Sequence, residues 1–559
     1  MADYMETGHV TDDLKPEFAE YEKANRAATE DPDDFEAWEK LVRTTEQLEG
    51  GLTRNSSPQA IAATRGVFDR FLARFPLLFG YWKKYADLEF SIAGTEAAEM
   101  VYERGVASIT NSVDLWTNYC NFKVETSHDP DVIRELFERG ANSVGLDFLA
   151  HPFWDKYIEF EERLECEDKI VAILDRVIHI PMHQYARYFE RFRQLAQTRP
   201  LEELLPSDTL AQFRQDMERG ELEIEREMRV RIDNFHLEIF SRTQTETTKR
   251  WTYESEIKRP YFHVNELDEP QLVNWRKYLD FEEVEGDFTR TQFLYERCLV
   301  TAAFYDEFWY RYARWMSAQD GKEEEVRNIY QRASMVFVPI TRPGIRIQYA
   351  HFEEAQGRVD MARAVLESIL EQLPGHIETI VAWANLERRQ GGLDAAIAIY
   401  RAQIESDKCD IYAKGALTAE WARLLWKIKG SVDEARQVYQ KNHHWYLDSR
   451  YFWINYLQFE MEQPTSAETE QQNHDRIRQV VVDIRKKSHL PPIAIKDLTH
   501  FYMVYLLERG GKDAAKEYMV LDREVNGQVK QFLPPLPPSP NASQDRFCAS
   551  IRHFIRDEA

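Results

Sequence analysis

A tryptophan with tyrosine three residues on, an aromatic or leucine six on and often glutamate seven on constrains this chain more than any other feature. Trp82 is followed by Tyr85, Leu88 and Glu89, Trp116 by Tyr119 and Phe122, and Trp154 by Tyr157, Phe160 and Glu161. Trp275 leads Tyr278, Phe281, Glu282 and Gly286, Trp309 leads Tyr312 and Trp315, and Trp453 leads Tyr456, Phe459 and Glu460. Weaker copies start at Arg346 (Tyr349, Phe352, Glu353, Gly357) and Ile380 (Trp383, Leu386, Glu387, Gly391). Tyr185 and Tyr188 open a degenerate copy, and Phe501, Val504, Leu507 and Glu508 form a late one. Offsets of 0, +3 and +7 share one face of an α-helix, with +6 beside them. The glycine at +11 falls where a helix end takes a left-handed residue.

A second pattern follows each of these helices: Val101-Tyr102-Glu103-Arg104, Leu136-Phe137-Glu138-Arg139, Leu294-Tyr295-Glu296-Arg297 and Ile329-Tyr330-Gln331-Arg332. Val365-Leu366-Glu367-Ser368, Ile399-Tyr400-Arg401 and Val438-Tyr439-Gln440-Lys441 continue it, with small residues ahead at Ala98, Ala362, Ala396 and Ala435. The spacing from Trp82 to Trp116 and from Trp275 to Trp309 is 34 residues, and from Trp116 to Trp154 it is 38. Two helices and two turns fill such a period. One hairpin cannot bury its own aromatic stripe, whereas stacked neighbours bury it jointly. The expected fold is therefore all-α, a solenoid of helical hairpins. Its expected repeat core is Trp82, Tyr85, Tyr102, Trp116, Tyr119, Trp154, Tyr157, Trp275, Tyr278, Phe281, Tyr295, Trp309, Tyr312, Tyr330, Tyr349, Trp383, Tyr400, Tyr439, Trp453 and Tyr456. A base-stacking platform built from the same rings would call for positive charge, and the chain carries a formal net charge of −25. That charge repels phosphate backbones at long range, so little direct RNA contact is expected and basic protein segments are the more natural partners.

Composition agrees with a packed helical chain: 43% of the 559 residues are hydrophobic, and glycine and proline number 22 each. The acidic first residues show no secretory signal, and no apolar run approaches a membrane span, so a soluble intracellular protein is expected. Cys120, Cys166, Cys298, Cys409 and Cys548 lie far apart and read as reduced thiols. Phosphate-loop, dinucleotide, nucleophile-elbow and zinc-protease motifs are absent, so no enzyme and no cofactor are expected. His443-His444 and the pair His179 and His183, interrupted by Pro181, make poor metal sites. The recurrent Glu89, Glu161, Glu282, Glu353 and Glu460 read as ion-pair partners of second-helix arginines such as Arg104 and Arg297. Lys249-Arg250, Lys258-Arg259 and Arg485-Lys486-Lys487 are the basic clusters, and the last reads as a solvated turn, with RNA contact or a nuclear signal as the alternatives.

Along the chain, residues 1–30 read as a loose acidic lead-in, 31–197 as a first array, 198–269 as a charged helical linker and 270–525 as a second array. Apolar residues Leu222, Ile224, Met228, Ile232, Phe235 and Ile239 recur at helical spacing in the linker, which reads as one or two long helices. A solvated spacer is preferred there, with a partner-binding helix as the alternative. Residues 526–559 hold Pro534-Pro535-Leu536-Pro537-Pro538, which cannot be helical and serves either as a polyproline ligand or as a strap.

Tandem W-x2-Y-x2-F-E helices followed by Y-E-R helices resemble the HAT (half-a-tetratricopeptide, TPR-like) repeat of RNA-processing complexes, over roughly residues 30 to 525. The string Ile257-Lys258-Arg259-Pro260-Tyr261-Phe262-His263-Val264, running into Asn274-Trp275 and Tyr295-Glu296-Arg297-Cys298, is similar to the pre-mRNA-processing factor 39 family. The resemblance implies a nuclear scaffold of the U1 small nuclear ribonucleoprotein (U1 snRNP). It also implies dimerisation, with itself or a paralogue, through the C-terminal repeats, and contact with the U1 C protein and the 70-kilodalton subunit. Phe501, Tyr502, Tyr505 and Tyr518 are the interface residues expected on that basis. A HAT-repeat scaffold of 3′-end cleavage or ribosome biogenesis is the alternative.

Overall fold

The computed structural model describes residues 16–527 apart from 202–203, 205–206, 216–220 and 467. Among these residues there are 26 α-helices and no strand. The first are α1 (Pro16–Glu30), α2 (Phe35–Glu46), α3 (Pro58–Arg74), α4 (Phe79–Ala93) and α5 (Thr95–Ser108). Next come α6 (Val113–Thr126), α7 (Pro130–Val144), α8 (His151–Arg163), α9 (Glu167–Ile178) and α10 (Tyr185–Ala196). The middle of the chain forms α11 (Ser207–Gln215), α12 (Glu221–Glu254), α13 (Glu269–Glu285), α14 (Phe288–Thr301), α15 (Asp306–Ser317) and α16 (Glu323–Arg332). Then follow α17 (Gly344–Ala355), α18 (Val359–Gln372), α19 (Ile377–Gly391), α20 (Leu393–Glu405) and α21 (Ile411–Lys427). The last are α22 (Val432–Asn442), α23 (Arg450–Met461), α24 (Glu470–Lys486), α25 (Pro492–Arg509) and α26 (Ala514–Asn526). The chain divides into two compact units between Tyr349 and Ala350. Each is a stack of antiparallel hairpins.

Local chemistry sets the helix ends. Asp34, Ser57, Ser112, Asp129, Asp287, Asp410 and Ser449 cap helix N-termini with side-chain oxygens on backbone N–H groups. Gly286 and Gly357 stop their helices at φ +80° and +76°. In the unit starting at Ile380 the left-handed cap is Gly392 at φ +86°, while the neighbouring Gly391 remains inside α19.

Two stretches differ from the sequence reading. The loose lead-in is helical from Pro16, and α1 buries Ala24 and Ala28 against its neighbours. The charged stretch 198–269 is not a solvated spacer. Met228, Ile232, His236 and Ile239 of α12 are buried, Phe240 packs tilted against Phe189 with centroids 4.6 Å apart, and the Thr243 hydroxyl donates to the Ile178 carbonyl at 2.8 Å. The apolar stripe seen at helical spacing packs on α9 and α10, where the dense charge around it favoured a solvated reading. Because α12 belongs to the packed array, the chain does not divide there. The proline-rich tail lies outside the described residues.

Candidate protein-interaction surfaces

Every charged or aromatic surface on a solenoid is first a candidate for holding the stack together. At five steps the aromatic of a second helix lies flat on the tyrosine of the next first helix: Phe68 on Tyr85, Tyr102 on Tyr119, Phe137 on Tyr157, Tyr295 on Tyr312 and Tyr439 on Tyr456. Centroids are 4.6–5.0 Å apart and planes 1–14°, the offset stacking that aromatic quadrupoles favour. Tyr253 stacks on Tyr278 in the same way at 5.0 Å, so the C-terminal end of α12 is itself a second helix. The string Arg250-Trp251-Thr252-Tyr253-Glu254 carries that signature, and the charged residues around it hid it from the sequence reading. Of the expected core residues, Phe281 and Trp383 are half-buried and the other eighteen are buried.

A polar ladder runs beside these stacks in the first unit. At five steps the acid one residue after the second-helix aromatic accepts from the stacked tyrosine and pairs with an arginine one hairpin further on. Glu103 takes Tyr119 at 2.7 Å and Arg139 at 2.8 Å; Glu138 takes Tyr157 and Arg176, both at 2.9 Å. Glu254 takes Tyr278 at 2.9 Å and Arg297 at 2.8 Å, and Glu296 takes Tyr312 at 2.9 Å and Arg332 at 2.7 Å. Asp69 does the same with Tyr85 and Arg104, and burial first, then Asp69, pushes the Tyr85 hydroxyl up to about 12. Each arginine then lies over the tryptophan of its own hairpin, 5.3–5.9 Å from the ring centroid: Arg104 on Trp82, Arg139 on Trp116, Arg176 on Trp154, Arg297 on Trp275 and Arg332 on Trp309. After Arg104 and Arg139 the next residue is glycine, and a Cβ there would meet Leu115 at 3.1 Å and Trp82 at 3.2 Å on Gly105, or Phe153 at 2.6 Å on Gly140.

The repeat glutamates use other arginines than the sequence suggested. Glu89 pairs with Arg65 at 2.6 Å, Glu161 with Arg134 at 2.8 Å, Glu282 with Arg250 at 2.7 Å and Glu460 with Arg436 at 2.8 Å. These arginines stand three residues before the second-helix aromatic. Glu353 pairs with Arg358, and in one hairpin the charges are exchanged, with Lys123 on Glu99 at 2.7 Å. Arg104 and Arg297 serve the ladder instead. Arg297 also reaches Asp147 at 3.1 Å, with both side chains almost fully buried. Burial opposes the Arg297 charge, but the Asp147 and Glu254 carboxylates outweigh it and raise its pKa; burial raises Asp147 despite Arg297.

The remaining sequence candidates are mostly engaged. Arg250 is buried on Glu282, Lys249 pairs with Glu246, Arg485 with Glu524 and Lys487 with Asp483, so these basic clusters are largely neutralised. His179 caps α9 while His183 packs against His151 and Trp251, so the two do not share a helix face. Among the described residues, no group of three His, Cys, Asp or Glu is placed to hold a metal and no helix is long and apolar enough to cross a membrane. The four described cysteines are unpaired. The Ile257–Val264 string forms a turn in which Phe262 is buried edge-on to Phe304 at 5.3 Å.

The second unit ends in an apolar face. Phe501, Val504 and Leu507 of α25 are 46%, 54% and 60% exposed, and Met519 of α26 is 63% exposed. Their neighbours Tyr502 and Tyr505 point the other way, into the core, and Tyr518 is half-buried, which removes the first two from any external interface.

Comparison with known proteins places this architecture. Models of the PRP39 N-terminal and C-terminal HAT repeats match residues 22–194 and 248–389. Pre-mRNA-processing factor 39 of Schizosaccharomyces pombe is 56% identical over 532 residues, 91% of this chain and 87% of that protein. The U1 small nuclear ribonucleoprotein component PRP42 of Saccharomyces cerevisiae is 24% identical, covering 51% of this chain and 55% of that protein. The crystal structure of CSTF-77 shares the fold, with a TM-score of 0.56 and 14% identity over 85% of this chain and 95% of that one. With its stacked W-Y-F-E and Y-E-R hairpins and this degree of identity, the chain belongs to the pre-mRNA-processing factor 39 family of HAT-repeat proteins.

Proposed function

We propose that this protein is a non-catalytic nuclear scaffold of the U1 snRNP in pre-mRNA splicing. In this reading it dimerises through its C-terminal repeats, with a second copy or a paralogue. It bridges U1 core proteins, the U1 C protein and the 70-kilodalton subunit among them, to auxiliary factors during 5′ splice-site recognition. The observation that carries the reading is the 56% identity to a pre-mRNA-processing factor over most of both chains. The PRP42 likeness, to a named U1 component, supports the choice of particle.

The apolar face of α25 and α26 supports the dimer. A helix apolar on both faces is ordinarily buried on both, and Phe501, Val504 and Leu507 form the outer stripe of α25. Phe501 therefore keeps its place at the proposed interface, joined by Val504, Leu507 and Met519. Purification of the tagged chain from nuclear extract should retain U1 RNA and its core proteins; retention of a polyadenylation or preribosomal particle instead would overturn the assignment. Light scattering should give twice the 66.1 kDa chain mass, falling to one chain when Phe501, Val504 and Leu507 are all changed to Asp. An unchanged mass would exclude this face.

A further inference from the structure

We propose that the groove between α20, α21 and α22 is a docking site for an acidic peptide segment of a partner protein, one carboxylate of which lies between Arg401 and Lys441. The groove has a volume of about 470 Å³ and a floor of Ile397, Leu425 and Val438. Arg401 and Lys441 both line it, both are exposed, and neither has an ion-pair partner among the described residues.

Their positions in the repeat give this pair its meaning. Arg401 follows the second-helix aromatic Tyr400, the place held by Asp69, Glu103, Glu138, Glu254 and Glu296 in the first unit. Lys441 stands two residues after Tyr439, the place held one hairpin on by Arg104, Arg139, Arg176, Arg297 and Arg332. In the first unit these two places form an ion pair at each of the five steps. Here the acid is exchanged for arginine, so two cations face one groove where the first unit sets a carboxylate against a single arginine. A carboxylate from outside restores the missing partner, and the planar guanidinium fork matches its two oxygens. Arg401 is held in place over the Trp421 ring, 5.1 Å from its centroid. The apolar floor takes a side chain next to the acidic one.

The groove disfavours a polyphosphate. Asp394 and Glu434 line it too, Glu434 already held by Lys429 at 2.6 Å, and the whole chain is acidic. A run of phosphates would meet those carboxylates, whereas a single Glu or Asp between apolar neighbours avoids them. The site is independent of the α25 face, so a monomeric variant retains it.

Full-length protein is titrated against three fluorescein-labelled probes by anisotropy: a synthetic peptide of Leu and Ser around one central Glu, the same peptide with Gln in place of that Glu, and a single-stranded RNA of equal length. The acidic peptide should bind and the amide version should not. Arg401→Glu should weaken binding at least tenfold and raise the melting temperature by about 1 °C, because it rebuilds the ladder pair with Lys441. Arg401→Gln should weaken binding without that rise, and Arg401→Glu with Lys441→Glu should remove binding altogether, the fold being checked by circular dichroism. Equal binding of both peptides, or acidic-peptide binding unchanged by Arg401→Glu, overturns the proposal. Preferential RNA binding lost in the same variants overturns it in favour of phosphate recognition.

Discussion

The first unit and the second stack the same hairpins with different polar equipment. In α3, α5, α7, α12 and α14 the acid after the second-helix aromatic is gripped by a tyrosine and an arginine. Around α20 to α22 the corresponding places hold Arg401, Gln440 and Lys441, yet Tyr439 still lies flat on Tyr456 at 4.6 Å and 6°. Aromatic packing therefore builds the stack, and the ladder is an addition along its flank that one unit has relinquished. Both units retain the deeper pair between the repeat glutamate and the arginine before the second-helix aromatic.

The largest expected effect tests that shared pair. Arg250→Ala and Arg436→Ala each leave a buried carboxylate, Glu282 or Glu460, without its cation. Each should cost about 3–5 kcal/mol in denaturant unfolding; a clear inequality would show that the two units do not rely on it alike. Trp309→Ala should also cost about 3–5 kcal/mol, because the side chain is fully enclosed, whereas Trp383→Ala should cost less than half of that from its half-buried site. Calorimetry on both variants sharpens the contrast between a fully formed repeat and a degenerate one.

Acid should act on both units. Burial, the largest cause in each case, lowers the pKa of His151 and His236 in the first unit and of His351 and His376 in the second. Below the ordinary histidine value of about 6.5 the unfolded chain takes up protons that the folded chain refuses. The stability from these groups is complete above that value and is lost as pH falls through the lowered folded pKa values. Urea midpoints should therefore fall between pH 7.5 and 5.5, and His236→Gln should flatten the fall for the first unit. The smallest effect belongs to an exposed rung: Arg104→Ala, with Arg104 and Asp69 47% and 48% exposed, should cost under about 1 kcal/mol.

The all-α hairpin architecture was legible because a stripe at 0, +3 and +7 admits few structures besides a helix, and a 34-residue return admits few besides a stacked pair. The ladder was not legible, since its rungs join residues 35 to 43 apart on different hairpins, such as Arg104 with Asp69 and Arg297 with Glu254. Helical periodicity orders side chains on one helix and says nothing of which neighbour each will reach. The same gap misdirected the repeat glutamates toward Arg104 and Arg297. On α12, dense surface charge outweighed a real apolar stripe in the reading, and on α25 Tyr502 and Tyr505 look like any other tyrosines until the helix is docked and turns them inward.

The contact of Arg297 with Asp147 has a practical consequence. It joins a turn after α7 to the second helix of a hairpin 150 residues later, inside the protein. Proteolysis or truncation between residues 198 and 269, where net charge makes the chain look most divisible, strands an enclosed aspartate on one fragment and an enclosed arginine on the other. Neither piece should behave as an autonomous folding block, and the first unit should melt as a single transition.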